Sequence, residues 1–286
     1  MSAHRKPGDS RDGTGLCLQV KRASCGKRQR RQYMTRSPDA FAHHPELREK
    51  IIDPMNSFMR GLSVDMLRQR HPELAAAWDW VHSDEVREQT RTTALSGRYG
   101  SDLWVFAYGS LMWDPAFRFA EVRRTKVEGY ARRFILLDDK GGRGSPDAPG
   151  LMAALDEGAG CEGLAFRIAA DDVDTETEIL WRREMIGPGY EPRFVTARID
   201  AEDVEALTFV ANHATDVIRP DLSRAQQIRY IALGSGILGT SRSYLENIVS
   251  QLDVLKIHDP DCMEILKEVE DFIGGRASEA LNEARR

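Results

Sequence analysis

No apolar run in this 286-residue chain approaches the ~20 residues that a membrane-spanning helix needs. Met1 to Asp12 are polar where a secretory signal would carry its apolar stretch, so no such signal is expected. Cysteine is scarce: Cys17, Cys25, Cys161 and Cys262 lie far apart, without a Cys-x-x-Cys pair or a Cys/His ligand spacing. That argues against a zinc site and against a disulfide framework, and it fits a reducing cytoplasmic setting. Internal repeats are missing, and so is the regular strand–helix alternation of a parallel α/β sheet. The net charge of −5 hides an asymmetry, because residues 1–33 hold nine Lys and Arg against Asp9 and Asp12. The rest of the chain therefore carries −12, which disfavours nucleic acid as a partner of the body.

What is present is the texture of an ordinary globular chain, 41% hydrophobic and 30% charged. Residues 1–33 are rich in Gly, Ser, Lys and Arg without apolar periodicity, and are expected to form a disordered basic extension. A nucleic-acid or membrane-surface role for Lys27–Arg31 is the weaker reading of that segment. Residues 34–100 read as a helical arm: Pro45 near a helix start, a break at Asp53-Pro54, a second helix at Ser63–Arg70 and a third from Pro72 carrying Leu74, Ala77, Trp78 and Val81. From Asp102 the pattern turns to short strands with Gly, Pro and Asp between them. Strands are expected at Leu103–Ala107, Thr125–Tyr130, Arg132–Leu137, Leu151–Leu155, Gly160–Ile168, Arg193–Ile199 and Ala206–Val210. Helices are expected at Asp171–Met185 and beyond Arg224. Together these predict an α+β fold with a small closed or nearly closed barrel and flanking helices.

Four constellations carry the chemistry. In the first, the strand Trp104-Val105-Phe106-Ala107 runs into Tyr108-Gly109-Ser110-Leu111, where Gly109 permits a sharp turn. Successive N–H groups there can form a nest for an anion, although an ordinary strand–turn with a satisfied Ser fits the stretch equally. In the second, Arg183-Glu184 ends a helix just before Gly187-Pro188-Gly189-Tyr190. Taken alone, Glu184 reads as a surface carboxylate paired with an arginine. The third is Arg132-Arg133-Phe134 followed by Gly142-Arg143-Gly144 and Pro149-Gly150; the fourth is Tyr244-Leu245 with Asn247.

In this order and spacing the four resemble the ChaC-type, glutathione-specific branch of the γ-glutamylcyclotransferases, over roughly residues 102–255. The resemblance implies a catalytic domain over 101–286 with the mixed barrel of that family. It implies Glu184 as the catalytic carboxylate and Tyr108, Gly109, Ser110, Leu111 and Arg143 as substrate-binding residues, with no cofactor and no metal. The implied reaction is intramolecular: the α-amino group of a γ-glutamyl unit attacks its own γ-carbonyl and releases 5-oxoproline and an amine, Cys-Gly when glutathione is the substrate. The turn N–H groups would take the α-carboxylate or the developing oxyanion, and Tyr108 would cap the pocket. Two alternatives stay open, cyclotransfer on other γ-glutamyl amino acids or amines, and a non-catalytic regulatory ChaC-like protein. The chain departs from the family pattern at Phe209, which stands where members often carry Tyr, and at Ile135–Lys140. Asn212 is a candidate substitute for the lost hydroxyl. The expected partner is a small γ-glutamyl molecule, with no nucleic acid and no membrane; the oligomeric state is not legible.

Overall fold

The computed structural model describes residues 39–284, so the expectation for residues 1–33 lies outside the described residues. Five strands close a barrel. β1 (Leu103–Ala107) runs antiparallel to β5 (Cys161–Ile168), β5 to β2 (Glu121–Val127), β2 to β6 (Tyr190–Ile199) and β6 to β7 (Glu202–Ala211). The ring closes where β7 meets β1 in parallel, Trp104 opposite Ala206 and Val105 opposite Leu207. β4 (Gly150–Glu157) leaves the barrel through a parallel contact of Leu155 with Val210, and β3 (Tyr130–Asp138) pairs antiparallel with β4 as an outer flap. The fold is thus α+β with a closed five-stranded barrel.

Strand identity follows burial. β2 buries Val122, Thr125 and Val127 and leaves its other residues partly or fully exposed, whereas β5 is buried along most of its length. The core is aromatic: Phe106, Phe117, Phe134, Phe166, Trp181 and Phe209 are almost inaccessible. Each such side chain contributes on the order of 2–3 kcal/mol by leaving water. Helix α3 (Val173–Glu184) bridges β5 and β6 and buries Ile179, Leu180 and Trp181. Beyond the barrel lie α4 (Arg224–Leu233), the hairpin β8 (Ser235–Gly236) and β9 (Gly239–Thr240), then α5 (Ser241–Val254) and α6 (Pro260–Ala284). A capping box of Ser223 and Gln226 starts α4, and the Thr240 hydroxyl caps α5. Among the described residues, no helix is long and apolar enough to cross a membrane.

The segment before β1 is a chain of short turns and two helices. Ser63 caps α1 (Val64–Arg70), in agreement with the sequence reading. The helix expected from Pro72 is instead a 3-10 stretch, Pro72–Trp80, broken at Leu74. The longer helix here is α2 (Asp84–Ala94), capped by Ser83. Its buried residues include Arg87 and Arg91, so apolar periodicity could not reveal it.

This segment grips α3. Arg60 makes a two-pronged hydrogen bond to Glu176, at 2.7 and 2.9 Å. Arg118 adds its backbone N–H and its Nε to the same carboxylate, each at 2.7 Å. Arg91 donates to Asp174 and Thr177, the indole of Trp181 donates to Thr90, and Arg182 donates to the carbonyl of Arg60. The Glu176 side chain is 0% exposed. Burial alone would raise its pKa, but the bonds from Arg60 and Arg118 outweigh burial and hold it below 4.5. Glu176→Gln removes one charge and leaves two guanidiniums facing a neutral amide. A loss of about 3 kcal/mol in urea unfolding is expected, because breaking a buried pair costs about 3–5 kcal/mol and the half-exposed Arg118 can rehydrate. Because the folded pKa is depressed, the stabilisation is complete above the unfolded pKa near 4.5. It should fade as pH falls through the folded value, and the variant should lack that component of acid sensitivity.

Candidate active site

The apolar run that makes β1 ends at Ala107, and the chain turns at Gly109 into a 3-10 turn, Ser110–Met112. The N–H groups of Met112, Trp113 and Asp114 close that turn on the carbonyls of Gly109 and Ser110. Those of Gly109, Ser110 and Leu111 engage no acceptor among the described residues, so three adjacent donors are available to a ligand. Gly109 is required by a close approach. A Cβ at this position would sit 2.7 Å from the hydroxyl of Tyr244 on α5. The carbonyl of Tyr108 accepts a 2.6 Å bond from Arg132 Nε, and Arg132 also reaches Glu162 and Asp259, which anchors the turn from behind.

The end of α3 meets this turn through Arg183. Its side chain is only 3% exposed. Arg183 Nε donates to Glu184 at 2.8 Å, and a second nitrogen donates to Ser110 Oγ at 2.8 Å. The third nitrogen donates to the carbonyl of Asp114. Glu184 is therefore held beside the turn rather than projected into solvent. Burial raises its pKa above 4.5, the charge and hydrogen bond of Arg183 pull it back, and Asp114 pushes it up again. Of the reading of Glu184 as a surface carboxylate paired with an arginine, the pairing holds and the surface placement does not, since its side chain is 13% exposed.

Three phenols lie close enough to feel the charge of the carboxylate. Tyr108 donates to the carbonyl of Phe209 and Tyr190 to that of Ala153, each at 2.9 Å. Burial lifts Tyr108 and Tyr190 well above 10 and Tyr244 to about 12, with the charge of Glu184 contributing to all three, so they remain neutral donors. Tyr190 and Tyr244 were not among the residues singled out for binding in the sequence. Tyr190 was visible only as part of Gly189-Tyr190, and Tyr244 only as part of Tyr244-Leu245. Phe209 buries its ring against Trp181 at 5.3 Å and contributes only its carbonyl. Asn212 does not supply the missing hydroxyl, because its side chain is spent on the backbone of Pro188 and Ala214.

Arg143 arrives from the β3–β4 connection. Asp138 organises that loop by accepting the N–H groups of Lys140 and Arg143. The Arg143 guanidinium lies 5.0 Å from the centre of the Tyr244 ring and makes one 3.3 Å bond, to the carbonyl of Thr240. Burial lowers its pKa, and Arg183 is close enough to lower it further. The turn donors, Glu184 and Arg143 thus all meet around Tyr244 and Arg183. Arg133, by contrast, is exposed and bonds the carbonyl of Glu157. Among the described residues, no cluster of His, Cys, Asp and Glu has the makings of a metal site.

The ChaC-like protein family model matches residues 103–272. A glutathione-specific gamma-glutamylcyclotransferase of Escherichia coli is 35% identical over 173 residues, covering 60% of this chain and 74% of the relative. Glutathione-specific gamma-glutamylcyclotransferase 1 of Mus musculus is 30% identical over 175 residues, covering 60% and 78%. A crystal structure of a yeast γ-glutamyl cyclotransferase specific to glutathione superposes with a TM-score of 0.55 at 18% identity, covering 60% of this chain and 97% of that one, and shows a shared fold.

The contact of Gly109 with Tyr244 can be tested by a double-mutant cycle. Gly109→Ala should destabilise the protein by about 1–3 kcal/mol, the usual cost of an over-packed core. Tyr244→Phe removes the oxygen that the new methyl meets and should recover most of that loss in the double variant. Additive effects in thermal unfolding would show that the two residues do not press on each other.

Proposed function

This chain belongs to the ChaC-like protein family, and from that premise we propose that it is a γ-glutamylcyclotransferase that converts glutathione to 5-oxoproline and Cys-Gly. The observation that carries the reading is the buried Glu184 carboxylate, tied by Arg183 to a turn with three unengaged N–H groups. The nucleophile and the electrophile belong to one γ-glutamyl unit, so the site must fold that unit into a near-attack geometry. The N–H groups of Gly109, Ser110 and Leu111, with the guanidinium of Arg143, bind its carboxylate end. Glu184 takes a proton from the α-ammonium, the free amine attacks the γ-carbonyl and then sheds a second proton, and both protons end on the leaving nitrogen, one of them returned by Glu184, as the C–N bond to Cys-Gly breaks. Neutral Tyr108, Tyr190 and Tyr244 lie near the carboxylate without adding charge, and the hydroxyl protons of Tyr108 and Tyr190 are held by the carbonyls of Phe209 and Ala153.

We take residues 101–286 as the catalytic unit and residues 34–100 as a helical arm, whose described part, from residue 39, braces α3. The excess of carboxylates beyond residue 33 favours a small-molecule substrate over nucleic acid. The free thiols of Cys161 and Cys262 support a reducing compartment, the cytoplasm.

Glu184→Gln keeps the shape and loses the base, so 5-oxoproline release from glutathione should fall by about 100-fold or more with folding intact. Wild-type turnover in this variant would remove Glu184 from the mechanism. The working form of Glu184 is the carboxylate, and burial raises its pKa above 4.5, so kcat/KM should decline as pH falls through a value above that of an ordinary Glu. Arg183→Met deletes the influence that lowers this pKa, and the acid limb should move to still higher pH. An unmoved limb would mean that another group controls it.

A further inference from the structure

The N-terminal segment meets the active-site turn at Ser57. Asp53, ahead of Pro54, accepts the N–H of Met55 and starts a 3-10 turn, Pro54–Asn56. Ser57 starts the next one, Phe58–Gly61, by accepting the N–H of Met59 at 3.0 Å. Two bonds tie this pair of turns to the residues that follow Ser110–Met112. The N–H of Ile52 donates to the carbonyl of Trp113 at 2.8 Å, and Arg60 donates to that of Ala116 at 2.9 Å. Between them the Ser57 hydroxyl donates to Asp114 Oδ1 at 2.7 Å, the length of a charge-assisted hydrogen bond. Ser57 is buried, and it lies well ahead of residue 103, where the family match begins.

Asp114 borders the pair of Arg183 and Glu184. Its carbonyl accepts from one terminal nitrogen of Arg183, while its Oδ1 stays 3.7 Å from that same nitrogen, beyond hydrogen-bond range. The oxygen that Ser57 holds is thus the one facing Arg183. A hydroxyl has a single proton, and Ser57 gives it to Asp114 while its own oxygen is fixed by the N–H of Met59. Arg183 spends Nε on Glu184 and its other terminal nitrogen on Ser110. The arrangement keeps two carboxylates, Asp114 and Glu184, on one guanidinium with only Glu184 in direct contact.

We propose that Ser57 is a positioning residue for the cyclotransferase reaction: its hydroxyl holds the Asp114 carboxylate off Arg183 and so leaves the charge of Arg183 to Glu184. The inference rests on the cyclotransferase reading of the site. Without the hydroxyl the Asp114 carboxylate closes on the Arg183 nitrogen, because the attraction grows as the separation falls. Glu184 then shares its cation with a second anion. That change favours the protonated form of Glu184, whose pKa burial already raises, Arg183 lowers and Asp114 raises. Arg183 and Asp114 are the charged side chains that bear on Glu184; Tyr108, Tyr190 and Tyr244 face it as neutral phenols, and Arg143 bears on Arg183. The working form of Glu184 is the carboxylate. The acid limb of kcat/KM therefore moves to higher pH when Ser57 loses its hydroxyl and to lower pH when Asp114 loses its charge.

The test follows 5-oxoproline release from glutathione as kcat/KM against pH with the full-length protein. It compares the wild type, Ser57→Ala, Ser57→Thr, Asp114→Asn and the double variant Ser57→Ala/Asp114→Asn. The acid limb should rise by about half a pH unit in Ser57→Ala, since a charge a few ångströms away moves a carboxylate on that scale. It should return to the wild-type position in Ser57→Thr, which keeps the hydroxyl, and fall in Asp114→Asn. Adding Ser57→Ala to Asp114→Asn should shift it no further, because the serine acts through that charge. An unmoved limb in folded Ser57→Ala would overturn the proposal, and so would the same upward shift with Asp114 already neutral. Asp114→Asn keeps the backbone carbonyl that Arg183 uses, and an unmoved limb there would overturn the proposal even if Ser57→Ala does not fold. In each of these cases wild-type activity on glutathione leaves the cyclotransferase reading standing. No 5-oxoproline from the wild type would reject both.

Discussion

The whole site depends on one buried cation. Arg183 reaches Glu184, Ser110 and Asp114 from a side chain almost closed to water. A guanidinium in that position is tolerated only with its donors satisfied, because an unpaired buried charge costs several kcal/mol. Satisfying them locks the end of α3 to the turn after β1, and those are the two segments that bring the acid–base group and the anion-binding N–H groups. The same contact sets the chemistry of Glu184. Burial pushes the carboxylate toward its neutral form, and Arg183 keeps it from going all the way.

The rest of the molecule can be understood as support for that junction. The barrel provides β1 and, through β5 and β6, the two ends of the connection that holds α3. The N-terminal segment presses on α3 through Arg60, Arg91 and Thr90, and Trp80 lies so close to Gly187 that no side chain would fit there. From the opposite side α5 brings Tyr244 against Gly109, and Asp259, just ahead of α6, pairs with the buried Arg132 that holds the Tyr108 carbonyl. Disturbing any of these supports would displace a donor from its target without touching it, and misplacement on the scale of an ångström is enough to slow an enzyme by orders of magnitude.

Much of this was legible in the sequence where burial leaves a pattern. β1 was readable to the residue because five apolar residues in a row are bounded by Asp102 and the Tyr-Gly turn. Arg132 was visible only as part of Arg132-Arg133-Phe134, and in the fold it has three partners, Tyr108, Glu162 and Asp259. Other features left no local mark. The closure of the barrel rests on two residue pairs between β1 and β7, and nothing in either strand announces a parallel neighbour. Helix α2 escaped a periodicity reading because arginines occupy its inner face, while the stretch from Pro72 looked more helical than it is. The gathering of Tyr108, Tyr190 and Tyr244 around Glu184 joins segments far apart in the chain, so no spacing rule could expose it.

The central claim is that the substrate's own α-amino group is the nucleophile and that Glu184 serves it. The most direct measurement compares 5-oxoproline formation from glutathione and from N-acetylglutathione at equal concentrations. The account requires release from glutathione and none from the acetylated peptide, whose nitrogen has lost both its basicity and the proton that Glu184 is there to take. Equal release from the two would contradict intramolecular cyclisation, and with it the role assigned to every residue of the site.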